Sequence, residues 1–187
     1  MGILNNLRNK KEEETIFITP DNRKWGIDID KFTRICLTSD NEKSKDTEII
    51  MEMMERFYTS DAVLTNGSKE IYAADIENCV NDNPYLEGYV FEENNEIQGY
   101  AMLAKSFSTE FGKQCIWIED LYLSSEHRRK GIGSQFFDFI KETYPDAVFR
   151  LEVEDENIGA IATYQKNGFR DIPYNEMIYG VRPRSCN

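Results

Sequence analysis

Hydrophobic spacing changes period several times along this chain, and each change marks an element. Phe32-Thr33-Arg34-Ile35-Cys36-Leu37 alternates as a strand does, and Thr38 to Lys45 reads as a polar loop. Ile49, Ile50, Met53, Met54 and Phe57 recur at helical spacing. They predict an amphipathic helix over Thr47 to Tyr58, with its methionines as core filler. Asn66-Gly67 is a turn signal, and a second helix is expected from Glu70 to Cys79, ahead of Asn83-Pro84. Tyr85 to Phe91 and Ile97 to Ala104 flank the polar run Glu92 to Glu96 as a hairpin, and Gln114 to Leu123 is the most apolar strand. A helix over Ile132 to Glu142 turns Ile132, Phe136, Phe137 and Ile140 inward and is closed by Pro145-Asp146. Val148 to Val153 reads as a strand. Gly159 to Asn167 reads as a helix that Gly168 ends in a left-handed cap, and Glu176 to Val181 as a last strand. The second half has the strand-helix-strand rhythm of a crossover unit, and the whole predicts a mixed α/β domain. Before Phe32 the pattern is weak, with one short strand candidate over Thr15 to Thr19, stopped by Pro20. The expected organisation is an N-terminal extension over 1–30 and one domain over 31–187.

Composition narrows the class. A chain of 187 residues, 40% hydrophobic and 30% charged, can fold as one soluble domain with its own core. Its net charge of -12 works against nucleic acid and anionic membranes, because the phosphate term that dominates such binding is repulsive here. The same charge suits a cationic substrate, and it equally suits a plain acidic protein. No apolar stretch is long enough to span a bilayer, and the polar start, Met1 to Glu14, lacks the apolar region of a secretory signal. Cys36, Cys79, Cys115 and Cys186 form no CxxC pair, so reduced thiols and a cytoplasmic location are expected. With His127 as the single histidine, no metal site is expected.

The strongest local signal is Arg128-Arg129-Lys130-Gly131-Ile132-Gly133, which follows the apolar strand after a short loop and opens a helix. Glycines there let the backbone turn tightly and approach a ligand. A helix N-terminus presents unpaired N–H groups to an anion, and successive loop amides form a nest for phosphate oxygens. The basic side chains add charge at the same point, so a diphosphate is the natural ligand. Neither GxxxxGK[ST] nor GxGxxG is present. Out of context, a glycine-rich turn with exposed basic residues accounts for the stretch equally well.

In context, the stretch resembles motif A of the GNAT superfamily of acyl-CoA N-acyltransferases: Arg or Gln, two residues, Gly, any residue, then Gly or Ala. Arg128, Gly131 and Gly133 fill it. The preceding strand, Ile118-Glu119-Asp120-Leu121-Tyr122-Leu123, is similar to the strand that family carries there. Leu151-Glu152-Val153, Asn157, Ala160, Tyr164 and Asn167-Gly168-Phe169 resemble its motif B. The resemblance implies a GNAT-type fold, a mixed central sheet flanked by helices, and acetyl-CoA as acyl donor. The backbone of Arg129, Lys130, Gly131, Ile132, Gly133 and Ser134, with Arg128, would then hold the CoA pyrophosphate. Leu121, Tyr122 and Leu123 would pair with the pantetheine arm as an added strand, splayed from the strand over Val148 to Val153. Asn157 would cap the last helix and contact the cofactor arm, or cap it only.

Tyr164 lies two helical turns beyond Asn157 on the same face. It is the expected general acid toward the leaving sulfur, with a plain core tyrosine as the other reading. An alkylamine is mostly protonated at neutral pH, so a base is required. Adjacent strand residues face opposite ways, so only one of Glu119 and Asp120 should face the thioester unless the strand bulges. Members similar to polyamine acetyltransferases place the Glu of this run as base. Glu119 is therefore expected as base, and Asp120 as an ammonium-binding or structural residue. The mechanism would be direct attack, with no enzyme nucleophile; Cys115 reads as a buried thiol.

Pro84-Tyr85, Gly99-Tyr100-Ala101-Met102 and the run Ser106 to Lys113 resemble the diamine and polyamine branch. That places Tyr85, with Asp120, on the acceptor, and favours a small cationic amine. The branch lacks the long N-terminal extension. A protein or peptide N-acetyltransferase and a non-catalytic acyl-CoA-binding domain stay open as alternatives. The family often forms homodimers, which extends to this chain as an expectation.

Overall fold

Asn94 and Asn95 both hold positive φ, 56° and 61°, and turn β2 (Leu86–Glu93) tightly into β3 (Glu96–Ser108). Asparagine enters this left-handed region more readily than most residues, because its short amide bonds locally to the backbone. The turn is tighter than the polar run Glu92 to Glu96 suggested, and both strands extend into it. The computed structural model describes residues 32–34, 40–60, 62–63, 67–81 and 83–180. Within them the order is β1 (Phe32–Arg34), α1 (Asp40–Tyr58), α2 (Lys69–Val80), β2, β3, β4 (Lys113–Leu123), a 3-10 turn (Ser125–His127), α3 (Ile132–Thr143), β5 (Val148–Leu151) and α4 (Ile158–Lys166). The sheet order is β1-β2-β3-β4-β5; its pairs are antiparallel except β4 with β5, which are parallel and joined through α3. This mixed sheet flanked by helices is the GNAT acyltransferase architecture.

Each face of the sheet carries its own core. Ala101, Leu103, Ile116 and Ile118 pack against Ile132, Phe136, Phe137 and Ile140 of α3, with Tyr164 of α4 at the margin. On the opposite face Tyr100, Met102 and Tyr122 meet Ile50, Met53 and Met54 of α1 and Tyr72, Ile76 and Cys79 of α2. The apolar spacing read from α1 is therefore its buried stripe.

Three elements differ from expectation. α1 begins at Asp40, inside the stretch read as loop; its first turns, Asp40 to Asp46, carry only polar residues and so no hydrophobic period to read. The parallel strand stops at Leu151 rather than Val153. No strand forms from Glu176 to Gly180. Met177 and Tyr179 are 93% and 102% exposed, so the segment has no buried face to fix a register. The Thr15 to Thr19 strand, the end of the first strand beyond Arg34, and Asn66 lie outside the described residues.

Candidate active site

β4 breaks its alternation once. Met102 pairs with Asp120 and Leu103 with Ile118, so Glu119 is the extra residue of a β-bulge. The bulge removes the constraint that sends neighbours to opposite faces. Asp120 turns to the α1 face, where Tyr58 Oη donates to its Oδ1 at 2.9 Å and Tyr100 Oη to its Oδ2 at 3.1 Å. Asp120 is only 2% exposed. Burial pushes its carboxyl up to about 6 against the pull of the two tyrosine bonds. The Glu119 charge adds a smaller push to both Tyr58 and Asp120.

The same point is where the sheet opens. The β4–β5 ladder ends at Ile118 with Leu151, and β4 continues through Leu121, Tyr122 and Leu123 with no β5 partner. Glu152 follows directly on β5. It shares a hydrogen bond with Glu176, and that bond, burial and the Glu176 charge push it up to about 7. Burial, then the Glu176 charge, also raises Glu119, although its side chain reaches solvent. Glu119, Glu152 and Glu176 thus gather at the fork between two strands.

Beyond Leu123 the chain makes the 3-10 turn, with His127 buried and its Nε2 3.3 Å from Glu96 Oε1. Arg128 donates from Nε to the Leu123 carbonyl at 2.9 Å and lies 5.8 Å from the centre of the Tyr122 ring. Arg129 and Gly131 then take positive φ, 63° and 85°, a curl that concentrates amides on its inner side. Gly131 caps α3 without a side-chain bond, and the first helical bond runs from Gln135 N to Gly131 O. The amides of Ile132, Gly133 and Ser134 precede that bond and are free for an anion. A Cβ on Gly133 would meet nothing in the protein, so the space before the helix is open. Ser134 is held from α4, where Asn167 Nδ2 lies 3.0 Å from its Oγ.

On α4, Asn157 caps the helix by accepting from Ala160 N at 3.2 Å. Tyr164 packs edge-on against Phe137 and Phe169, and burial raises its phenol. Its hydroxyl has no hydrogen-bond partner among the described residues. Tyr85 stands apart: it is 71% exposed at the start of β2, with β3 between it and β4. Sequence reasoning gave no site role to Tyr58 or Glu176, and quoted Glu152 only within the motif B run. Tyr58 carries no signal beyond closing a helix, and Glu176 reaches the site only through the path of the C-terminal segment.

Comparison with known proteins agrees with this arrangement. The acetyltransferase (GNAT) family model matches residues 48–169. A thialysine N-epsilon-acetyltransferase of Sus scrofa is 31% identical over 145 residues, covering 72% of this chain and 82% of its own length. A possible acetyltransferase from Clostridium difficile 630 superposes with a TM-score of 0.61 at 24% identity, over 74% of this chain and 93% of its own. A predicted acetyltransferase from Clostridium acetobutylicum, solved with acetyl-CoA, superposes with a TM-score of 0.60 at 18% identity, over 79% and 94%. With a family match over most of its length and the motif residues set around one strand fork, the chain belongs to the GNAT family of acetyltransferases.

Proposed function

We propose that the acceptor in this acetyl-CoA-dependent transfer is a primary amine of a small cationic molecule. The observation that carries the reading is the group of three carboxylates, Glu119, Glu152 and Glu176, at the fork between β4 and β5. An ammonium group is attracted there, and one carboxylate is placed to take its proton. The name of the porcine relative, a thialysine N-epsilon-acetyltransferase, describes transfer to a side-chain amine and supports an amine acceptor.

Acetyl-CoA supplies an activated carbonyl when bound. The curled amides from Arg129 to Ser134, with exposed Arg128, Arg129 and Lys130 beside them, fit its diphosphate. The unpaired edge of β4 over Leu121, Tyr122 and Leu123 fits an extended amide-bearing arm, and Asn157 stands at the head of the facing helix. Glu119 accepts the proton of the attacking amine, directly or through water, and its raised carboxyl is better matched to that task than an ordinary one. As the carbon–sulfur bond breaks, Tyr164 gives its phenolic proton to the sulfur. Asp120 holds the bulge in place from behind through Tyr58 and Tyr100, and does not itself meet the ammonium.

The openness of Glu119, Glu152 and Glu176 to solvent favours a second reading, an exposed lysine of a protein or peptide. One assay separates the two. Purified protein is incubated with acetyl-CoA and spermidine, putrescine, lysine, an aminoglycoside or a basic peptide, and free thiol is followed. Turnover with a small amine is expected; turnover with the peptide alone moves the assignment to protein modification, and none with any amine overturns both.

A further inference from the structure

Before the fork, where β4 and β5 are still paired and toward the β3–β4 hairpin, lies a cavity of about 270 Å³ whose lining includes Ser106, Ser108, Thr109, Glu110, Trp117 and Arg150. Its most distinctive group is the Arg150 guanidinium. It sits 5.6 Å from the centre of the Trp117 ring and 5.8 Å from that of Phe111. Two aromatic contacts restrain the planar group and leave its N–H edge for a planar anion. That edge already has a carboxylate near it: Glu110 Oε2 is 3.7 Å from an Arg150 terminal nitrogen, longer than a charge-assisted hydrogen bond. Glu110 is half exposed in the hairpin loop and is also held by Tyr174 Oη at 3.2 Å. A loosely held internal carboxylate at the mouth of the cavity is one that a ligand carboxylate can displace.

Register fixes the relation of this cavity to the amine position. Arg150 pairs with Trp117, and Glu119 lies two residues further along β4. The offset along the strand is roughly 7 Å. A lysine-like stem of four methylenes bridges an interval of that order. Along the strand pair, the acidic fork is therefore followed at that interval by the Arg150 guanidinium.

We propose that the Arg150 cavity is an acceptor subsite for a carboxylate, so that the preferred substrate is an amino acid acetylated on its side-chain amine. The proposal rests on the small-amine reading above and adds the group that selects among such amines. Ser106, Ser108 and Thr109 place further hydroxyls beside the bound carboxylate, and Glu110 swings out as it enters.

The test compares lysine with lysinamide, which keeps both amines and the stem but replaces the carboxylate by a neutral amide. Binding to the full-length protein saturated with CoA is measured by titration calorimetry, so no turnover is needed. The acidic fork alone favours lysinamide, the more positive ligand. The subsite predicts the reverse, with lysine at least tenfold tighter, an order lost in R150Q and weakened in R150K. E110Q, which removes the competing internal carboxylate, should tighten lysine and not lysinamide; it also serves if R150Q fails to fold. Equal affinities, no measurable lysine binding, or a lysine preference that survives R150Q would overturn the subsite. Amine acetylation with no preference for the carboxylate would overturn this inference alone, whereas no acetylation of any amine would overturn the reading beneath it.

Discussion

Tyr58, the last residue of α1, donates its hydroxyl to Asp120 Oδ1 at 2.9 Å and so fastens a helix end to the back of the β4 bulge. Tyr100 occupies the other oxygen, and the carboxylate has almost no water. Burial raises the Asp120 carboxyl to about 6, so the folded state prefers its protonated form. The resulting stabilisation is complete below the unfolded value near 4 and is lost as pH rises through about 6. The change is on the order of 3 kcal/mol. Urea midpoints of the wild type should fall between pH 4 and 7 by more than those of D120N, which has no charge to bury. At neutral pH, Y58F should lose about 1–3 kcal/mol, because it leaves one oxygen of a buried carboxylate unpaired.

This clamp also shows where sequence reading runs out. The motif residues on β4, the basic loop and α4 were legible because they are contiguous runs whose spacing is set by one strand edge and two helix starts. The two cores were legible in the same way, from Ile50, Met53 and Met54 on one side and Phe136, Phe137 and Ile140 on the other. The bulge was not: a register shift at Met102/Leu103 depends on how two strands align, and neither strand records it alone. Tyr58 meets Asp120 across 62 residues of chain, a pairing no local period encodes. The start of α1 was hidden because polar turns carry no hydrophobic period. The last strand was expected from Met177-Ile178-Tyr179, whose apolar side chains stay exposed.

Removing the proposed base, Glu119, should separate chemistry from binding. E119Q keeps the size and most of the hydrogen-bonding capacity of the side chain but cannot take a proton at neutral pH. Its kcat should fall about 10²- to 10⁴-fold, with acetyl-CoA affinity within a factor of three of the wild type. Thiol release and calorimetry give the two numbers. An unchanged kcat would move the proton acceptor elsewhere in the fork.

Tyr164 invites the complementary experiment. Its ring is wedged between Phe137 and Phe169, while its hydroxyl is unpaired among the described residues. Y164F therefore preserves the packing, and stability should change by less than about 0.5 kcal/mol. The kcat should nonetheless drop about 10²-fold, the loss expected when the proposed proton donor to the sulfur is removed. With a donor whose thiol is more acidic than CoA the deficit should shrink.

Gly131 and Gly133 sit two residues apart but serve different ends. Gly131 holds a φ of 85°, so G131A strains the cap and should cost about 1 kcal/mol in a thermal melt. At Gly133 a Cβ meets nothing within 4 Å, and an acidic residue in the first turn favours the helix dipole. G133E should therefore melt at or above the wild-type temperature. It should still raise the acetyl-CoA Kd at least tenfold, since its charge opposes the diphosphate before the helix.

The raised Glu152 carboxyl makes the fork respond to pH near neutrality. Glu152 is pushed up to about 7, first by its bond to Glu176. Below that value Glu152 holds a proton and carries no charge; above it the Glu152 charge returns beside the other carboxylates of the fork, a repulsion that a bound cation relieves. Cadaverine stays fully charged from pH 6 to 8, so its affinity reports the site and not its own titration. Its binding to the CoA-loaded protein should tighten severalfold across that interval at constant ionic strength. In E176Q the bond that raises Glu152 is replaced by one to an amide, and its carboxyl returns toward the ordinary range. The variant should bind cadaverine more weakly at pH 8 and with little change between pH 6 and 8. A wild-type affinity flat over the same range would place the amine away from these two carboxylates.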